Sequence, residues 1–134
     1  MAALSREELP DSVRILRRVH RSQVVGTNDG QDVRPDSSTF KDRRGESVSA
    51  YRADVLSDIG HDPVDEVLDG YGQHGVASLE AGFIRSQGLE IHEDVDENDA
   101  SCGAAHVLIV GQKSHTTQVR LAEACNWERR PPSG

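Results

Sequence analysis

The chain has 134 residues, with 23 acidic against 15 basic side chains and a formal net charge of -8, which argues against non-specific nucleic-acid binding, an affinity built on phosphate neutralisation. Hydrophobic residues make up 35% and aromatic residues 4%, so a single modest core of Val, Leu, Ile and Ala is expected. No stretch approaches the roughly 20 apolar residues of a membrane-spanning helix and the first residues lack a charged-then-apolar leader pattern, so a cytoplasmic protein without membrane association is expected.

Residues 1–11 are polar and are expected to be a flexible start outside the domain, although Ser5 and Glu8 have the spacing of a capping box. The domain is expected over 12–127. β-Branched residues recur in SVRILRRVHRSQVV and predict a strand over 14–20. Residues 26–38 are rich in turn formers, with Asn28-Asp29-Gly30 and Arg34-Pro35-Asp36 as punctuation, and read as a loop. Phe40 anchors that loop ahead of a charged turn at 41–45. A strand is predicted over 47–51, with Val48 and Ala50 on one face. A helical turn through Val55, Leu56 and Ile59 follows.

Asp62-Pro63 marks a helix start, because Asp caps well and Pro is tolerated at the first helical position; that helix stops at Gly70. Val76, Leu79, Phe83 and Ile84 have helical spacing, which predicts a helix over 76–86 ended by Gly88. Residues 88–92 alternate as a strand should. An acidic loop, EDVDENDASCG, leads into a strand over 105–110, and Ser114 or Thr116 caps a last helix on which Val119, Ala122 and Cys125 or Asn126 share a side. Residues 128–134, with Pro131-Pro132, read as a flexible tail. Cys102 and Cys125 are read as reduced thiols, the default without a secretory pattern. The fold class that follows is α+β, a single domain in which two or three helices cover a short mixed or antiparallel sheet.

The order of features, Arg17-Arg18-Val19-His20, then Arg34-Pro35-Asp36-Ser37-Ser38-Thr39-Phe40, Ser47-Val48-Ser49-Ala50-Tyr51, Gly75-Val76-Ala77-Ser78-Leu79 and Ala105-His106-Val107-Leu108-Ile109, resembles a loose group of small uncharacterised bacterial proteins. The resemblance spans residues 14–111 and departs at the tyrosine, which stands one residue further on here, beyond Ala50. It implies a bacterial source and a self-contained domain, and no chemistry.

Several motifs fail on inspection. Gly70-Tyr71-Gly72-Gln73-His74-Gly75 spells the dinucleotide pattern, but that pattern works between a strand and a helix, where a helix N-terminus faces pyrophosphate. Here a predicted helix precedes it, so it reads as a turn between two helices. VGQKSHTT after a buried strand resembles the end of a P-loop, yet Gln112 stands where the glycine before Lys113 is needed. What remains is a weak anion site at Lys113, beside the free N–H groups of a helix start. His20-Arg21-Ser22 and His115-Thr116-Thr117 resemble the paired histidine motifs of 2H phosphoesterases, but the middle residues are polar where that motif is apolar. The acidic loop and its borders hold His92, Glu93, Asp94, Asp96, Glu97, Asp99, Cys102 and His106 within fifteen residues. It lacks the spacing of an EF-hand or a zinc site, so no metal and no cofactor are assigned.

His20 and His106, each on a predicted strand, are the candidate acid/base residues, and Arg34, Ser37, Ser38 and Lys113 are the candidate ligand-binding residues. Two functions are expected from these features. The first is non-enzymatic binding of another macromolecule, an accessory or antitoxin-like role with a basic protein partner or self-association, suggested by the acidic balance and the acidic loop. The alternative is a small enzyme or sensor acting on a phosphate-bearing ligand through His20 and His106.

Overall fold

The computed structural model describes residues 3–27, 30, 32–42 and 46–133. In chain order the elements are β1 (Arg14–His20), β2 (Val24–Gly26), β3 (Val33–Pro35), a 3-10 turn (Ser37–Phe40), β4 (Ser47–Arg52), α1 (Ala53–Asp58), α2 (Pro63–Leu68), β5 (His74–Glu80), α3 (Ala81–Ser86), β6 (Glu90–Glu93), a second 3-10 turn (Gly103–Ala105), β7 (His106–Val110), α4 (His115–Ala124) and β8 (Asn126–Arg129). Six strands form one sheet in the order β6-β7-β4-β1-β5-β8, every neighbouring pair antiparallel. This is the expected α+β domain, with four short helices covering both faces.

Alternation along the strands sends successive side chains to opposite faces. On one face Ile15, Val48, Ala50, Leu79, Val107 and Ile109 pack with Phe40, Ile84 and Leu121; on the other Leu16, Tyr51 and Val76 pack with Leu56, Val67, Cys102 and Ala105. Because both faces are covered, β5 is buried from Gly75 to Leu79. That overturns the helix predicted over 76–86. A strand covered on both faces need not alternate polar with apolar, so the spacing of Val76, Leu79, Phe83 and Ile84 mimicked a helical stripe; the helix begins only at Ala81.

Other differences share this tertiary origin. The expected loop at 26–38 contains the two-stranded pairing of β2 with β3, Val24 opposite Pro35; Asn28 and Asp29, like residues 43–45 of the charged turn, lie outside the described residues. The first residues are not peripheral: Leu4 and Leu9 enter the core, and Arg85 donates to the carbonyls of Leu4, Ser5 and Leu9. The Ser5/Glu8 capping box does form, each backbone N–H donating to the other's side chain at 3.0 and 3.2 Å. The tail expected at 128–134 starts as sheet, since β8 pairs with β5, and Trp127 donates its indole N–H to the Val33 carbonyl at 2.9 Å.

The local capping expectations match the fold. Asp62 accepts from the N–H groups of Val64 and Asp65, and Ser114 accepts from Thr117. No helix among the described residues is long and apolar enough to cross a membrane.

Candidate functional site

The middle of the sheet is split. β1 pairs with β5 over seven residues and β4 with β7 over five, but β1 and β4 pair only at Ile15–Arg52 and Leu16–Tyr51. Beyond that point a cleft of about 600 Å³ opens, lined by Arg17 and Arg18 of β1, Ser47, Val48, Ser49 and Tyr51 of β4, and Gln23, Tyr71 and His74. Consecutive residues on both strands point to opposite faces, so a lining that includes Arg17 with Arg18, and Val48 with Ser49, runs between the strands. Arg17 braces the opening by donating to the carbonyls of Thr39 and Ser49 at 3.0 and 2.9 Å.

Arg18 is the centre of the site. Its guanidinium lies 3.6 Å from the Tyr71 ring centroid and 4.8 Å from that of Tyr51, a cation–π cage. It donates to the Val67 carbonyl at 2.6 Å, to the Tyr51 hydroxyl at 3.0 Å and to Cys102 Sγ at 3.6 Å. All three acceptors are neutral. A guanidinium has five N–H groups, so three donations leave two for a ligand. Among the described residues the cleft lining carries no carboxylate, so a cationic site forms within a chain of net charge -8. Burial, the largest effect, raises the Tyr51 phenol above its ordinary value despite Arg18, and burial with the adjacent Asp99 carboxylate raises the Cys102 thiol.

Two histidines border Arg18. His20 and His74 are opposite one another across β1 and β5, their rings 4.9 Å apart in an edge-to-face arrangement. His20 Nδ1 accepts the Ser22 backbone N–H at 3.1 Å and lies 2.7 Å from Ser22 Oγ, so the neutral ring carries its proton on Nε2. His74 Nδ1 is buried with no hydrogen-bond partner among the described residues. Burial first, then the nearby charges of His20, Arg18 and Arg17, lower the His74 pKa below the usual histidine value.

The lowered His74 has a consequence for stability. The unfolded chain takes up this proton more readily than the folded chain, so the contribution of neutral His74 is present above the ordinary histidine value and is lost as pH falls through the lowered folded one. We expect the ligand-free protein to lose part of its urea-unfolding midpoint between about pH 8 and about pH 5, and His74→Gln to lose less. An equal loss in the variant would refute this role for His74.

The candidates named from sequence divide unequally. His20 lies beside the cleft, against His74. His106 does not share that place: its Nδ1 is tied to the Asp94 carbonyl at 2.8 Å and to the Asp94 carboxylate at 3.1 Å, and its ring lies against Tyr51, centroids 5.3 Å apart. Arg34 donates to the Pro35 carbonyl at 3.1 Å on β3 and does not line the cleft. Ser37 opens the first 3-10 turn, and Ser38 bonds Asp36 and reaches the cleft only through Gln23, at 3.4 Å. Lys113 is not a free cation at the start of α4. Its buried ammonium is engaged by the Asp42 carboxylate and by the carbonyls of Glu46 and Gly111.

The acidic loop uses its carboxylates on itself, Asp99 accepting from Ser101 and Cys102, and Asp96 from Asn98. No group of three metal-ligating side chains occurs among the described residues. The GxGxxG stretch joins α2 to β5, a helix-to-strand turn, the reverse of what a dinucleotide requires.

Sequence reading missed Arg18, Tyr71 and His74. A trace was present: Arg18 stands between the apolar Leu16 and Val19 inside a strand, where a charge needs a partner, and Tyr71 and His74 sit in the glycine-rich stretch dismissed as a turn. No family model, curated protein or solved structure matches this chain. Its function therefore has to be argued from the cleft.

Proposed function

We propose that the protein binds a phosphate-bearing small molecule in the cleft between β1 and β4, acting as a ligand sensor or a small enzyme. The observation that carries this reading is the Arg18 guanidinium, held by neutral acceptors and two tyrosine rings, with N–H groups to spare in a cleft whose described lining has no carboxylate. Arg is suited to planar, bidentate recognition of phosphate, and the volume is that of a small-molecule site. His20 and His74 supply the acid/base groups, so His74 takes the place beside His20 that His106 was expected to fill. The reading of a macromolecular partner has less support: of the exposed large apolar residues among those described, Tyr71 belongs to the cleft, while Val25 in β2, Ile59 after α1 and Val95 after β6 lie in different parts of the chain.

Titration calorimetry with inorganic phosphate, pyrophosphate and a set of phosphorylated metabolites tests the proposal. Binding is expected for at least one of them, and Arg18→Gln is expected to weaken it by about 10- to 100-fold, the worth of a lost charge-assisted hydrogen bond. Absence of binding by every anion, or unchanged affinity in the variant, would overturn it.

A further inference from the structure

The two histidines and Arg18 form a unit whose charge can be counted. His20 and His74 are in edge contact at 4.9 Å, and two imidazolium rings at that distance beside a guanidinium repel one another strongly. The site therefore has room for at most one added proton. Hydrogen bonding places that proton: His20 Nδ1 is occupied by the Ser22 amide N–H and sits 2.7 Å from its hydroxyl, bonds that protonation there would break. His74 makes no such bond. Its Nδ1 is enclosed and unpartnered, which leaves Nε2 as the nitrogen for a ligand.

From β1 His74 faces His20, Arg18 and Arg17, and from the turn after α2 it meets the Tyr71 ring, centroids 5.3 Å apart. On the β8 side the backbone of Arg129 and Arg130 closes over Gly75, and their side chains are paired with Asp65 and Asp32. Among the described residues no carboxylate acts on the His74 ring, so an anion in the cleft is what would favour its charged form.

Resting on the phosphate-binding reading above, we infer that the cleft selects phosphate monoesters over diesters by matching a dianion with Arg18 and a His74 that takes up one proton as the ligand binds. Arg17 also lines the cleft, but its guanidinium is held by the Thr39 and Ser49 carbonyls, so the cationic groups left to contact a ligand are Arg18 and a protonated His74. A monoester carries about -1.5 to -2 charges at neutral pH and engages both, whereas a diester carries one, met by Arg18. The free site keeps His74 neutral, because burial and the neighbouring cations oppose its charge; the second negative charge of the ligand reverses that balance.

Calorimetry with phenyl phosphate and methyl phenyl phosphate, repeated in buffers of different ionisation enthalpy near pH 7.5, separates the possibilities. The inference predicts about tenfold or greater preference for the monoester, with uptake of close to one proton, while the diester binds without uptake. His74→Gln is expected to abolish the uptake and bring the two affinities together, and Arg18→Gln to weaken both esters. Equal binding of the two esters, or monoester binding without proton uptake, would overturn the inference and leave the phosphate-binding reading standing. Failure of both esters and of inorganic phosphate to bind would overturn both.

Discussion

Replacing Lys113 by methionine is expected to lower the unfolding free energy by about 3 kcal/mol or more, the cost of breaking a buried ion pair from one side. The Lys113 side chain is fully buried and that of Asp42 is 22% exposed. Its ammonium joins three chain segments: the Asp42 carboxylate before β4, the Glu46 carbonyl at the entrance to β4, and the Gly111 carbonyl at the end of β7. Further bonds reinforce the junction, from the Gly111 N–H to the Glu46 carbonyl at 3.0 Å and from the Lys113 N–H to Asp42 at 3.3 Å. Methionine fills a similar volume but removes the ammonium, leaving the Asp42 carboxylate without its counter-charge and the Glu46 and Gly111 carbonyls each one donor short. Urea unfolding of Lys113→Met, Asp42→Asn and the double variant measures the effect. The double variant should lose clearly less than the sum of the singles, because their interaction is counted twice in that sum. A change below about 1 kcal/mol in Lys113→Met would show that the ammonium is not structural.

A second large effect is expected at Gly103. A Cβ there would lie 1.9 Å from the Asp96 carbonyl oxygen and 2.9 Å from its carbon, well inside van der Waals contact and against backbone that cannot rotate away. The same two residues are joined by the Asp96 N–H donating to the Gly103 carbonyl at 2.9 Å, so relieving the clash means opening the loop. Gly103→Ala should therefore cost about 2–4 kcal/mol, in the range of overpacked sites. The disturbance should reach the cleft, since Cys102 lies beneath Arg18. In the native protein Cys102 is buried and its thiol raised by burial and by Asp99, and burial pushes Cys125 up to about 12. Both thiols should thus be silent to a disulfide-exchange reagent at about pH 8, where reactivity follows the thiolate. Gly103→Ala should expose Cys102 to that reagent while Cys125 stays protected. Equal stability, or an unchanged Cys102, would contradict the tight loop closure.

Much of the architecture was legible where a short stretch decides its own conformation. β1 could be read from its β-branched residues, the face shared by Val48 and Ala50 from alternation, the start of α2 from Asp62-Pro63, and the Ser114 cap from hydroxyl chemistry. Each rests on contacts within a few residues. Illegible were β5 and β8, whose strand character comes from pairing with distant partners, and the inward anchoring of Leu4 and Leu9 by Arg85, about eighty residues away.

The candidate site follows the same division. Sequence pointed to His20 but matched it with His106, since both head or end predicted strands; the antiparallel register instead sets His20 against His74 and sets His106 against Tyr51. Lys113 looked like a free cation at a helix start because its acceptors, Asp42 and Glu46, lie some seventy residues earlier. By itself the sequence determined the fold class, most local elements and the caps, all consequences of backbone preference and near-neighbour chemistry. Only the tertiary structure decided that β1 and β4 part after two residue pairs, that Arg18 faces the opening between two tyrosines, and that the His20 and His74 rings meet edge to face. Register and strand divergence depend on the packing of the whole sheet, and no local pattern encodes them.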